Sequence, residues 1–323
     1  MSRFEVTALG EPLLRLSVPA GRPLETATAL DLHLGGSESN VCAALAGLGR
    51  RTALHTRVPT GPLGRFVLRT LRAAGVDTGG VALADGGRLG TYYTLFAAPP
   101  KATEVVYDRA DSAFTGLTVD AVRWDALLDT RVLHLTGITP ALSPECSELV
   151  VEAARRAKAK GVAVSFDVNY RRKLWSPERA RANLSALLPL VDLLICGEAD
   201  AQAVFGLQVG GSGGDREVLT ALRDLSGAAH VVLTRSFEGA VALLAGELVR
   251  VPAPEATVLD RLGAGDAFAA GVLDGFLDDD WVAGLERGAA LSALVLGQQG
   301  DMLTVTRGEL EAVLNGSANR LNR

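Results

Sequence analysis

Leu259-Asp260-Arg261-Leu262-Gly263-Ala264-Gly265-Asp266-Ala267-Phe268 reads as a tight turn opening a helix, which a run of small residues carries to Gly271. Gly263, Ala264 and Gly265 let the backbone turn sharply and leave main-chain N–H groups uncovered. The positive end of the helix dipole faces the same spot, so the stretch favours an anion. Asp266 runs against that preference, because its carboxylate repels whatever anion the turn holds. The conflict resolves if Asp266 is a base that takes a proton from a hydroxyl as that hydroxyl attacks a phosphoryl group. Read by itself, the string also fits an ordinary helix start with Asp in its first turn.

Far upstream, Gly35-Gly36-Ser37-Glu38-Ser39-Asn40 leads into the Ala-rich stretch Val41–Gly49. The glycine pair admits a ligand close to the backbone, and Asn40 offers a donor and an acceptor on one side chain. The plainer reading is a glycine turn with Ser37 or Ser39 capping the helix. Between these segments, apolar runs alternate with helical patterns. Strands are expected at Val132–Leu135, Val162–Phe166, Leu193–Cys196 and Val231–Thr234. Helices are expected near Pro144–Lys160, near Pro177–Leu188 and from Glu198. Continuous apolar strands separated by amphipathic helices predict an α/β fold, with a mostly parallel sheet covered on both faces. Leu13–Val18 with Leu30–Leu34, and Gly90–Ala97 with Glu104–Asp108, break the rhythm and read as antiparallel strands outside that sheet. Gly210-Gly211-Ser212-Gly213-Gly214 reads as a flexible surface loop.

Taken together, the two glycine-containing segments resemble the paired signatures of the ribokinase-like (PfkB) family of sugar kinases, in order and separation. The resemblance covers nearly the whole chain. It implies one kinase domain over residues 1–323, with a small β-sheet lid from about 12–34 and 88–110 that closes over the sugar and often meets a second subunit. It also implies ATP and Mg²⁺ as cofactors, and in some relatives a monovalent cation. Gly263, Ala264, Gly265 and Asp266 fall on the catalytic motif, and Gly35, Gly36, Ser37 and Asn40 on the sugar-binding one. Asn169, Thr234, Ser236 and Gly239 fall on the nucleotide side.

Two further stretches, Gly137–Glu145 and Asp167-Val168-Asn169-Tyr170-Arg171-Arg172-Lys173-Leu174-Trp175, look like the 2-keto-3-deoxygluconate kinases within the family, as does Gly10-Glu11-Pro12-Leu13. In those kinases, positions matching Tyr92, Tyr107, Arg109 and Arg171 contact the keto acid, and Asp301 matches a sugar contact from the C-terminal side. The chemistry agrees, since a substrate carboxylate calls for a fixed cation and arginine meets it with two parallel hydrogen bonds. The expected reaction is ATP-dependent phosphorylation of the terminal hydroxyl of 2-keto-3-deoxygluconate. Phosphorylation of a neutral sugar such as fructose or ribose is the alternative. A sugar-acid-binding sensor that has lost turnover is the alternative of another class.

Three positions depart from the family pattern. Arg261 replaces a threonine, Ala289 replaces an adenine-side asparagine, and Gly197-Glu198-Ala199-Asp200 stands where Asn-x-x-Glu usually orients water around Mg²⁺. Asp200 keeps a carboxylate there, to act through water.

The bulk properties narrow the partners. A net charge of −5 gives no reason to expect nucleic acid or an anionic membrane. No apolar run approaches the ~20 residues a bilayer requires. Cys42, Cys146 and Cys196 are odd in number and widely spaced, which suggests a reduced, cytoplasmic protein. His33, His55, His134 and His230 lack metal-ligand spacing and are expected to pack among apolar residues.

Overall fold

A computed structural model describes residues 2–97, 101–208 and 214–316. In chain order its elements are β1 (Phe4–Leu9), β2 (Leu13–Val18), β3 (Asp31–Gly35), α1 (Ser37–Gly47), β4 (Thr52–Pro59), α2 (Pro62–Ala73), β5 (Val81–Ala84), β6 (Thr91–Leu95) and β7 (Glu104–Asp108). Then follow α3 (Trp124–Leu127), β8 (Thr130–Thr136), α4 (Pro144–Ala159), β9 (Ala163–Asp167), α5 (Pro177–Leu184), β10 (Leu193–Gly197), α6 (Glu198–Phe205) and α7 (Gly214–Ser226). The chain ends with β11 (His230–Thr234), β12 (Ala240–Leu244), β13 (Glu247–Val251), α8 (Ala264–Asp278), α9 (Trp281–Leu296) and α10 (Arg307–Leu314).

Nine strands form one sheet in the order β13-β12-β11-β10-β9-β8-β1-β4-β5. It is parallel from β5 through β11, and β12 and β13 add antiparallel at one edge. Its strands are apolar on both sides because helices cover both faces. Leu133, Leu135, Val164 and Phe166 pack under α4, while Val6, Val132, Ile195 and Val232 pack under α1, α8 and α9. No helix among the described residues is long and apolar enough to cross a membrane.

The segments that break the parallel rhythm form a second sheet, β3-β2-β6-β7. Both expected antiparallel pairs are present, and β2 and β6 join them in parallel. The Gly210–Gly213 run lies outside the described residues.

Two helix ends differ from expectation. α5 stops at Leu184, and a short 3-10 turn at Leu188–Leu190 follows, with Pro189 setting its start. α8 does not stop at Gly271 but runs to Asp278. Its glycines are there for packing, since a Cβ on Gly271 would stand 2.2 Å from the Gly288 amide nitrogen and one on Gly275 2.2 Å from the Gly284 Cα. Glycine costs about 1 kcal/mol in a helix interior, and here it lets α8 and α9 touch backbone to backbone.

Candidate functional site

The C-terminal strand ends carry the site, as parallel sheets dictate. Asp266 lies in the first turn of α8, buried, with both carboxylate oxygens accepting hydrogen bonds. Ser37 Oγ donates to one at 2.5 Å and Asn40 Nδ2 to the other at 2.7 Å. Asn169 Nδ2 donates to Ser37 Oγ at 2.9 Å, which leaves the Ser37 hydroxyl to point its proton at Asp266. Ser37 is therefore no helix cap; Gly36 precedes α1 without any side-chain cap. Asn40 Oδ1 is buried and has no hydrogen-bond partner among the described residues.

Gly263 opens α8 in the left-handed region at φ 86, and a Cβ there would stand 2.2 Å from the Asp301 carbonyl oxygen. Asp301 is held from the lid. Arg15 of β2 donates to Asp301 and, through its other terminal nitrogen, to Asp260, while Tyr92 of β6 donates to the second Asp301 oxygen. Arg15 is wholly buried. Burial works against its charge, and Asp301 and then Asp260 outweigh it. Burial likewise pushes Tyr92 well up and raises Asp301, so the phenol keeps its proton. Asp260 is further tied by the amides of Leu262, at 3.0 Å, and Gly300, at 3.2 Å.

The arginines of the sugar side are not equivalent. Arg109 is buried and doubly bound to Glu11, at 2.9 and 2.5 Å, with Ser112 on the other Glu11 oxygen. Arg171 is exposed and has no carboxylate within ion-pair distance among the described residues; its one hydrogen bond is to the Tyr170 carbonyl, at 3.4 Å. It lines a cavity of about 150 Å³ with Tyr107, Arg109 and Lys173, and Tyr107 packs on Tyr92 at 5.6 Å between ring centroids. Glu38 is buried beneath the glycine turn, accepting from Thr136 at 2.7 Å and Thr139 at 2.9 Å, and burial raises its pKa.

Asp167 is buried and feels the charges of both Asp200 and Asp266; burial first, then those charges, push it up to about 8. Burial also raises Asp200, opposed by the Tyr170 amide at 3.0 Å and by Arg171. A Cβ on Gly197 would stand 3.6 Å from Asp200 Oδ2 and 3.7 Å from Thr234 Oγ1, so these two side chains share one corner. Among the described residues no cluster of three His, Cys, Asp or Glu has metal-ligand geometry. Beyond that corner lies a cavity of about 240 Å³ whose lining includes Thr234, Ser236, Gly239, Arg261, Gly265 and Ala289. Ser236 takes φ 51, a left-handed conformation unusual for serine and ordinary for glycine. Arg261 lies over the Phe237 ring at 5.0 Å.

A model of the pfkB family of carbohydrate kinases matches residues 5–307. The chain belongs to this family. It is 38% identical over 323 residues to the 2-dehydro-3-deoxygalactonokinase of Haloferax volcanii, covering 99% of each chain. It is 33% identical to the 2-dehydro-3-deoxygluconokinase of Thermoproteus tenax, over 92% of this chain and 90% of that one. The crystal structure of Thermotoga maritima 2-dehydro-3-deoxygluconokinase superposes with a TM-score of 0.90 at 32% identity, over 97% and 98% of the two chains. The fold expected from the family resemblance is thus the one found, and the chain is a phosphotransferase of the family's kind, acting on a sugar hydroxyl.

Sequence reading put Asp266 on the catalytic motif, Ser37 and Asn40 on the sugar side and Asn169 on the nucleotide side, and the structure links all four in one hydrogen-bonded chain, with Asn169 joined through Ser37. Glu11, Glu38, Asp167 and Asp260 lie within the quoted motifs but were given no role there, and Arg15 lies outside every motif. Arg15 reads as one solvated residue in an alternating strand, and nothing in its neighbours announces its partners. The buried ion pair has a measurable consequence. Arg15→Met leaves two buried carboxylates without their cation and should cost about 3–5 kcal/mol of stability, read by urea denaturation monitored by fluorescence. A loss below about 1 kcal/mol, the worth of an exposed pair, would show that the Arg15 contacts are not buried in solution.

Proposed function

We propose that this kinase phosphorylates the terminal hydroxyl of 2-keto-3-deoxygluconate with ATP. The observation that carries the reading is the pairing of Asp266, held as a two-sided acceptor beside the helix N-terminus, with the unpaired Arg171 cation facing the lid. The first suits deprotonation of an alcohol and the second suits a carboxylate. Relatives named for both 2-dehydro-3-deoxy sugar acids support the substrate class, and the 38% identity to the Haloferax galactonokinase favours the C4 epimer as a second reading. A neutral sugar leaves Arg171 without a partner. A sensor without turnover leaves the hydrogen-bonded Asp266 unexplained.

The residues present fit a nucleotide. The cavity beside α8 meets a helix N-terminus of 15 residues, and nothing lies within 4 Å of a Cβ built on Gly265, so a phosphate can approach that backbone. Thr234, Ser236, Gly239 and Arg261 would border it. Mg²⁺, when bound, would neutralise the nucleotide's phosphates, and Asp200 would hold it through water. Asp266 takes the proton of the attacking hydroxyl, Asn40 and Ser37 orient it, and the Gly263–Gly265 amides face the charge that develops. Tyr92 and Asp301 form the floor on which the sugar acid lies, and the lid excludes water.

The lid's outward row, Leu32, Leu16, Tyr93 and Val106 in register across four strands, is apolar, with Leu32 56% and Val106 40% exposed. It is read as the contact to a second copy, in a cytoplasmic enzyme whose three buried cysteines are free.

A panel of sugar acids and neutral sugars with Mg-ATP tests the reading, and turnover confined to neutral sugars would overturn it. Asp266→Asn should lower kcat by at least ~10²-fold, the scale of general-base catalysis, while the folded state and sugar-acid binding persist. Arg171→Ala should lower kcat/KM for the sugar acid roughly ten- to a hundredfold, the worth of a charged hydrogen bond; an equal loss on a neutral sugar would remove the carboxylate from its role. Sedimentation at micromolar concentration should show a dimer that Leu32→Glu dissociates, and a wild-type monomer would refute the lid contact.

A further inference from the structure

The cavity beside α8 contains little that reads a nucleobase. Of its lining side chains only Thr234, Ser236, Arg261 and Ser292 are polar. Ser292 is already committed, donating its hydroxyl to the Ala264 carbonyl at 2.7 Å. Thr234 stands at the Asp200 corner. The walls are otherwise small and apolar, with Pro254, Ala256 and Val258 on one segment and Ala289, Ala293 and Leu296 on a single face of α9. Such walls sandwich an aromatic ring and offer its edge little, since Ser292 on the α9 face has its proton committed and leaves only a hydroxyl oxygen as acceptor.

The cations around the cavity divide sharply. Arg235 is neutralised by Glu238 at 2.6 Å, Asp215 at 3.2 Å and Glu198 at 3.6 Å. Arg261 has no carboxylate partner among the described residues. It rests on Phe237, an aromatic ring 66% exposed at the rim, and it shares the lining with Ala264 and Gly265 of the anion-favouring turn. A free guanidinium on an exposed ring beside such a turn suits a polyphosphate, which it meets with forked hydrogen bonds.

Resting on the kinase reading above, we propose that this site selects its donor by the polyphosphate and not by the base. Arg261, braced by Phe237, supplies the affinity, and GTP and ITP serve alongside ATP. A site that hydrogen-bonds a polar edge rejects the wrong partner by ~10⁴–10⁵, whereas an apolar pocket discriminates polar variants by only about 10².

The test is initial-rate kinetics with ATP, GTP and ITP at saturating 2-keto-3-deoxygluconate, paired with calorimetric binding of ADP and GDP. Values of kcat/KM within about a hundredfold of one another, and comparable ADP and GDP affinities, are expected. A larger preference for ATP overturns the inference and assigns base reading to main-chain groups. Arg261→Met should raise KM for all three nucleotides about tenfold or more and leave KM for the sugar acid unchanged; an unchanged nucleotide KM removes Arg261 from the site. Arg261 is exposed, so circular dichroism should confirm an intact fold in the variant. If no sugar acid is phosphorylated with any nucleotide, the kinase reading fails, and the binding of ADP and GDP to wild type and Arg261→Met still decides the selectivity inference.

Discussion

The buried guanidinium of Arg15 is the contact on which the site's geometry depends. It draws Asp260 and Asp301 to one point, although they stand 245 and 286 residues away along the chain. Taking such charges out of water costs several kcal/mol per ion, and the surrounding hydrogen bonds offset this. The amides of Leu262 and Gly300 hold Asp260, Tyr92 donates to Asp301, and Ser17 accepts from Arg15 Nε at 2.9 Å. Because Asp260 begins the turn into α8 and the Asp301 carbonyl fills the space beside Gly263, the lid and the turn form one body. Movement of β2 therefore reaches the backbone that frames Asp266.

At its far end α8 is fixed by a second set of arginines. Asp274 is fully buried and accepts from Arg50, Arg287 and Arg307. These arginines tie the helix to the loop after α1, to α9 and to α10. Three cations near the C-terminal half of a helix also suit its dipole. Held at both ends and pressed against α9 through paired glycines, α8 has little freedom to shift its N-terminus. A preorganised N-terminus loses no energy to reorganisation when charge develops in front of it. The same logic sorts the arginines of the site. Arg15, Arg109 and Arg235 are neutralised by carboxylates and build it, whereas Arg171 and Arg261 are not and face its two ends, a spacing that suits a substrate and a cosubstrate that are both anionic.

Much of this was legible in the sequence where the signal is local. The alternation of apolar strands with helices gives the parallel sheet, and the two hairpins stand out because their turns interrupt it. The Gly263–Asp266 turn and the Gly35–Asn40 segment are readable because each packs its chemistry into a few consecutive residues. Other features were hidden because they depend on distant contacts. Gly271 looks like a helix end by its propensity, and only the glycines of α9 explain why the helix continues. Arg15 looks like a solvated alternate in a strand-forming stretch, and Glu11 stands in a recognisable turn whose partners, Arg109 and Ser112, are far along the chain; only the fold of the lid buries them. Ser37 looks like a cap, yet its hydroxyl is turned into the site by Asn169 and Asp266, which lie far along the chain.

The direction of the hydrogen bonds around Asp266 carries the last step. An amide nitrogen can only donate, so Asn169 Nδ2 must donate to Ser37 Oγ, and the Ser37 proton must then point at Asp266. Asn40 meets the other carboxylate oxygen with its nitrogen, since its carbonyl there would set two acceptors face to face. Both oxygens of Asp266 are therefore acceptors. The arrangement also aims Asn40 Oδ1 away from the carboxylate, buried and without a partner among the described residues. A buried carbonyl left empty costs about 1–3 kcal/mol, and a protein tolerates this where a ligand supplies the missing donor. A polyol substrate would meet these two acceptors with two different hydroxyls, one donating to Asn40 Oδ1 to hold the molecule in place and the other lying against Asp266, the carboxylate suited to take its proton.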